Sequence, residues 1–514
     1  VTTTEVQATA VAGSILDNPD AGDTNVDITA ATAALRAETG VGTDADPLET
    51  ASDATTTTLE LAAVTDSGDI NVENSGHLVV DTVNGLVGVE IQDTATNDSG
   101  DDNITLIANS PLTVNDPVTN NDGGNILLVA EGNAAADDVS LNANVTITGS
   151  DATVDGVGNV TIFAGDSILQ AATSDVTSDG AGGIDYNADD DFGNAGVSDG
   201  SGAGLITMAN GAEANTGTGE ITMDAFGNIT LGGVSTANAT TTAVNIDSEG
   251  GDIVDGGDTH TEITANAVGS RVTLDALNGI GDGDPAQAGG AATARIETQI
   301  AQLDASVTAV GAGTFDINIL EADAIDLLDV DTADGSIRVT TTNGTILATD
   351  VDSSNTDADA NDIVLTTGGV GNDITIVNNG TIPGIDAGTA NGDVFLNSAG
   401  GIVELNNNTN NSITADGLRL VTANGEGVAA EAGDVTDADD NNLLDTTVNS
   451  LEASISGSGL FLVNSQALNI EDLDLTGEGD GGATAITSTA GTVRVNTTAG
   501  DLSLIHISEP TRQI

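Results

Sequence analysis

The 514-residue chain has no cysteine, no lysine and no tryptophan. Without cysteine there is no disulfide framework, no thiolate nucleophile and no Cys-ligated metal. Without lysine there is no Schiff-base chemistry and no phosphate-binding P-loop. Only seven bases, all arginine, stand against 81 Asp plus Glu, giving a formal net charge of −74. The arginines are scattered, so a nucleic-acid partner, which needs clustered cations on phosphate, is excluded. Aromatics make up 1% of residues: one tyrosine, Tyr186, and six phenylalanines. No run approaches 18 consecutive apolar residues, so no membrane-inserting helix is expected.

What is present is small, branched and acidic. Hydrophobic residues are 38% of the chain and glycines number 65, so a core must be thin and built from Val, Ile, Leu and Ala. Short runs alternate with a period of two, as in Asn103-Ile104-Thr105-Leu106, Asn159-Val160-Thr161-Ile162 and Asp362-Ile363-Val364-Leu365. That period predicts strands with one buried face. The Gly, Asn or Asp that opens most of them predicts positive-φ turns at strand ends.

Spacing between runs suggests the architecture. First apolar positions lie 22 apart from Ile104 to Ile126, 19 from Ile126 to Val145 and 15 from Val145 to Val160. Rungs near 20 residues, with few aromatics, predict an all-β parallel β-helix (β-solenoid) of many short coils. At about 4.8 Å per coil, ~25 coils would form a rod on the order of 120 Å long. Tandem β-sandwich domains are the alternative.

A longer block repeat overlies the strand rhythm. Ile28-Thr29-Ala30 recurs at Ile263-Thr264-Ala265 and Ile413-Thr414-Ala415. An apolar-acid-Thr step follows each, at Leu48-Glu49-Thr50, Ile296-Glu297-Thr298 and Leu444-Asp445-Thr446. Next comes an apolar-acid-small step at Leu303-Asp304-Ala305 and Leu451-Glu452-Ala453, looser at Leu59-Glu60-Leu61. Blocks of variable length suit a solenoid, which tolerates added coils, and suit an enzyme cleft poorly. Three stretches, 174–204, 282–294 and 429–442, break the rhythm and predict loops or hinges. The chain opens at Val1 with no signal segment, so an upstream part is expected. Residues 502–514, which contain Ser508-Glu509-Pro510-Thr511-Arg512, differ in texture and read as a translated sequencing adapter, leaving 1–501 as the repetitive region.

Calcium is the cofactor that so much Asp suggests, as weak binding at turns. Gly368 to Ile376, containing Asp373, fits the opening of a calcium-roll nonapeptide but departs at Thr375 and stands alone. Asp329, Asp331 and Asp334 resemble the start of an EF-hand loop with one residue too many and no closing Glu. An acidic turn between strands is the competing reading. Arg271, Arg295, Arg338 and Arg419 read as structural partners of nearby acids on the outer face. His77 and His260 have no partner at metal-ligand spacing, and His506 lies in the odd tail. No catalytic residues are assigned, and no enzyme activity is expected.

Segments such as Gly158-Asn159-Val160-Thr161-Ile162-Phe163-Ala164-Gly165-Asp166 and Gly227-Asn228-Ile229-Thr230-Leu231 resemble the texture of filamentous-haemagglutinin-like and autotransporter-type giant exoproteins. The resemblance covers about residues 60–500 as texture, not as an alignable motif. It implies a right-handed coil and a stalk exported by a Gram-negative bacterium to its outer surface or beyond. It also implies an unknown host or bacterial surface ligand, and export machinery outside this sequence. No binding or catalytic residue carries over. The expected function is therefore an elongated adhesin stalk; the alternatives are a secreted β-helix polysaccharide lyase or hydrolase, and a calcium-dependent surface-layer or matrix protein.

Overall fold

The computed structural model describes residues 2–17, 25–53, 56–93, 102–132, 136–149, 158–188, 204–257, 260–281, 295–311, 315–356, 361–377, 382–405, 411–423, 427–428, 443–457, 459–473, 485–489 and 491–504. Among them every regular element is a β-strand. The chain divides into two units, Val1–Asp258 and Thr259–Ile514. Each is a parallel β-solenoid.

In the first unit a coil carries three short strands. Ile104–Ala108, Leu112–Val114 and Val118–Asn120 form one coil, and Ile126–Ala130, Val139–Leu141 and Val145–Ile147 the next. Each strand pairs in parallel with its counterpart. The register stacks Ile70, Ile104, Ile126, Val160, Ile184, Ile221 and Val244 in one column. Val72, Leu106, Leu128, Ile162, Tyr186, Met223 and Ile246 form a second column, and no residue of either is more than 1% exposed. One inward residue stacks on the next at the strand spacing of about 4.8 Å, so a narrow core closes with Tyr186 as the one aromatic in these columns. Tyr186 fits because its hydroxyl donates to Gln170 Oε1 at 2.8 Å, which satisfies a buried polar group.

The coil is longer and less even than the expected 20 residues. It takes 22 residues from Ile104 to Ile126 but 34 from Ile126 to Val160. The 19-residue step to Val145 and the 15-residue step to Val160 run around the coil from face to face, because Val145 stacks on Val118 and not on Ile126. Strand periodicity cannot separate neighbours around a coil from neighbours along the stack.

The second unit repeats the plan. Ile337–Thr341, Ile346–Ala348 and Val351–Asp352 pair with Ile363–Thr367, Ile374–Ile376 and Ile385–Asp386. Some strands run through a corner and serve two faces: Thr58–Thr65 pairs with both His77–Val80 and Val89–Ile91, and Leu444–Ile455 with both Leu468–Ile470 and Ile486–Ser488.

The block repeat becomes a contact repeat. Thr50 stands beside Asn74, Thr298 beside Glu321 and Thr446 beside Asn464 in the pairing register. Each threonine hydroxyl donates to that neighbour's side chain, at 3.1, 2.8 and 3.0 Å. Three sequence blocks thus fold into the same buried polar step.

Asp and Asn at strand starts do not work as positive-φ residues. Among the described residues only Asn84 and Asp93 are non-glycines with positive φ. Several of the others accept hydrogen bonds from the next coil. The Asn159 amide donates to Asn125 Oδ1 (2.9 Å), Gly183 to Asn159 Oδ1 (2.7 Å), Ser336 to Asp316 Oδ1 (2.7 Å) and Gly417 to Asp393 Oδ1 (2.7 Å). A short acceptor at a corner satisfies an amide that the strand ladder leaves over. Strand ends are marked instead by a Thr or Ser hydroxyl donating to a carbonyl three residues on, as Thr341 to Gly344 (2.6 Å) and Ser398 to Gly401 (2.8 Å).

Part of the expected loop 174–204 is regular, since Asp175–Ser178 and Ile184–Ala188 are strands. Residues 189–203, 282–294 and 429–442 lie outside the described residues, as do 505–514 with His506. Leu502–Leu504, assigned to the odd tail, pairs with Leu468–Ile470.

Candidate cation site

Among the described residues of the first unit, three carboxylates come together where the first block begins. Asp27 precedes the strand Ile28–Ala30, which pairs with Leu48–Ser52, and its amide donates to the Glu49 carbonyl at 2.9 Å. Asp27 and Glu49 are therefore neighbours by strand register. Asp17 joins them from a separate segment. Ile15 bridges to Val41 and is held by Ile15 N to Gly40 O (3.0 Å) and Gly42 N to Ile15 O (2.9 Å). One carboxylate oxygen from each of Asp17, Asp27 and Glu49 lies within 4.8 Å of the others.

The electrostatics are unfavourable without a counter-charge. Glu49 alternates outward from its strand, yet it is only 8% exposed, and its Oε2 is sealed from solvent with no hydrogen-bond partner. Burial first, then the charges of Asp17 and Asp27, push its carboxyl up to about 7. Burial and then Asp17 raise Asp27 as well. A buried carboxylate next to like charges either keeps a proton or needs a cation.

The block repeat brings related acids to the same corner of the second unit. Glu262 precedes Ile263 as Asp27 precedes Ile28, and Glu297 occupies the place of Glu49. Both are buried, and the Glu297 amide donates to Glu262 Oε2 at 2.6 Å. In the third block Asp445 takes that place, and its amide donates to Glu404 Oε2 at 3.3 Å.

The calcium candidates from sequence are dispersed. Asp373 Oδ1 accepts the Gly401 amide at 2.7 Å, the same inter-coil tie made by other strand-opening acids. Asp334 sits in a turn, with Oδ2 accepting Gly311 N and Oδ1 the Thr356 hydroxyl, both at 2.7 Å, and these bonds lower its pKa. Asp329 and Asp331 are not in a turn. They lie in the strand Ile325–Thr332, where the register shift leaves Leu328 as the extra residue. Asp331 stacks on Asp352, and Asp352 on Asp386. Burial first, then the charges of Asp329 and of that outward acid ladder, push neighbouring Asp350 up to about 6.

Of the arginines expected to pair with acids, Arg271 meets Asp304 (3.2 Å) and Arg419 meets Glu452 (3.5 Å), and Arg36 also meets Asp66 (3.5 Å). Arg419 lies on the outward side of its strand, between inward Leu418 and Leu420, but that side is covered here. Its pair with Glu452 is buried, and its guanidinium lies 4.9 Å from the Phe395 ring centroid. His77 is held between hydroxyls, with Nδ1 3.3 Å from Thr58 and Nε2 3.1 Å from Thr113.

In the sequence Glu49 stands out only as a repeat marker, and Asp17 and Asp27 do not stand out at all. The available signal was the acid kept at one step in all three blocks, where packing alone would accept any polar residue. Asp17 has no such signal, because only the fold brings it close. No family model, curated protein or solved structure matches the chain.

Proposed function

We propose that this chain is a structural repeat region of a large exported bacterial surface protein, a stalk that extends and presents an adhesive part. The observation that carries the reading is the contact repeat, in which three sequence blocks enter the coil at the same buried Thr step. A block so placed can be duplicated without disturbing its neighbours, because each coil contacts only the ones before and after it. The exoprotein-like texture supports the same reading and gives it a Gram-negative outer surface, a surface ligand as partner and export machinery encoded elsewhere. Seven arginines, three of them paired with acids, against 81 acids supply little cationic charge for nucleic acid. Small-angle scattering of the full chain tests the proposal. An elongated particle with a cross-section of roughly 20–25 Å, two stacked sheets and their side chains, is expected. A compact particle would overturn it.

A further inference from the structure

We propose that Asp17, Asp27 and Glu49 form a binding site for a divalent cation of calcium type, which ties the segment around Ile15 to the solenoid at the first block. This goes beyond the stalk reading and stands without it.

Three observations combine. Oxygens from three carboxylates, spread over sequence positions 17 to 49, lie within 4.8 Å of one another. No pair of these oxygens is farther apart than twice the calcium–oxygen distance of about 2.4 Å, whereas magnesium at about 2.1 Å demands a tighter octahedron. Second, Glu49 is more than nine-tenths buried and its Oε2 receives no hydrogen bond, a placement that is costly unless something positive meets it. The fully buried Glu321, by contrast, is met by donors. Glu321 accepts from Thr298 Oγ1 (2.8 Å), Ile300 N (3.1 Å) and Asp323 N (2.9 Å). Third, the second and third blocks keep acids at the place of Glu49, in Glu297 and Asp445, and each is tied to another glutamate. An acid retained at one corner through duplication points to a shared ligand chemistry.

The site also explains an otherwise idle arrangement. Ile15 makes an isolated bridge to Val41, a weak attachment by itself. A cation shared between Asp17 and the Asp27–Glu49 pair would hold that segment against the solenoid.

The test uses the full chain, stripped with EDTA and dialysed against calcium-45 at fixed ionic strength. One equivalent from this site is expected to bind with a dissociation constant at or below about 1 mM, beyond any taken at the corners of Glu297 and Asp445 and above weak unsaturable binding by surface acids. Glu49→Gln and Asp17→Asn should each lose that equivalent, while Asp373→Asn keeps it. Circular dichroism confirms that the variants keep their β-structure; should Glu49→Gln misfold, Asp17→Asn, on the attached segment, gives the same readout. Binding unchanged in the folded variants would overturn the proposal. So would a wild-type chain with no saturable calcium, which would mean that the carboxyls share protons instead.

Discussion

At the residue scale, the chain uses carboxyls where most solenoid corners need an acceptor. Glu321 shows the consequence. It fills the place held by Asn74 and Asn464 in the other blocks, and it is fully buried. Burial, only partly offset by the bonds from Asp323, Thr298 and Ile300, pushes its carboxyl up to about 7 from an ordinary 4.5. The folded state therefore holds a proton that the unfolded state has released. Between about pH 4.5 and 7 the native chain binds more protons, so this group's contribution to stability is full below the lower value and is lost as pH rises through the upper one. Melting temperature at fixed ionic strength is expected to fall by several degrees from pH 5 to pH 8. Glu321→Gln, which cannot ionise, should flatten that fall. A profile equally steep in the variant would contradict the assignment.

At the element scale, each strand is short and its stability comes from the coils on either side. The strand Ile317–Glu321 is preceded by Asp316, whose Oδ1 takes the buried Ser336 amide at 2.7 Å. Removing that acceptor strands an amide, at a cost of about 1–3 kcal/mol. Asp316→Ala should lower stability by that amount in denaturant unfolding, and Asp316→Asn should recover most of it, because an amide oxygen accepts as well. Equal losses in both variants would show that charge, and not acceptance, matters at this corner. Glycines close to the stack set a similar limit. A Cβ on Gly335 would lie 2.0 Å from the Phe315 carbonyl oxygen, although that glycine's φ is not among the positive ones. Approach of neighbouring coils, more than turn geometry, fixes glycine there.

At the scale of the whole molecule, a net charge of −74 repels itself. Stacking places like charges on successive coils, as in the Asp331, Asp352 and Asp386 ladder. The Debye length falls from ~30 Å at 0.01 M salt to ~3 Å at 1 M, so sodium chloride alone should raise the melting temperature across that range. A melting temperature that stays level or drops would show that the acids are already neutralised by internal partners.

Much of the fold was legible in the sequence because it is local. A period of two in Ile104 to Leu106 or Val160 to Ile162 fixes which side chains point inward. The lack of large residues makes the core thin, and the blocks at 28, 263 and 413 mark equivalent steps. Tertiary structure alone decided which inward residues stack. The run at Val145 looks like the next rung after Ile126, yet it belongs to another face of the same coil. It also turned strand-opening Asp and Asn from turn formers into inter-coil acceptors, and it placed Asp329 and Asp331 on a strand. The carboxylate cluster depended on it most. Composition announces the acids, but charge in a sequence carries no distance, and Asp17 meets Asp27 and Glu49 only because chain closure brings three separate segments to one buried corner.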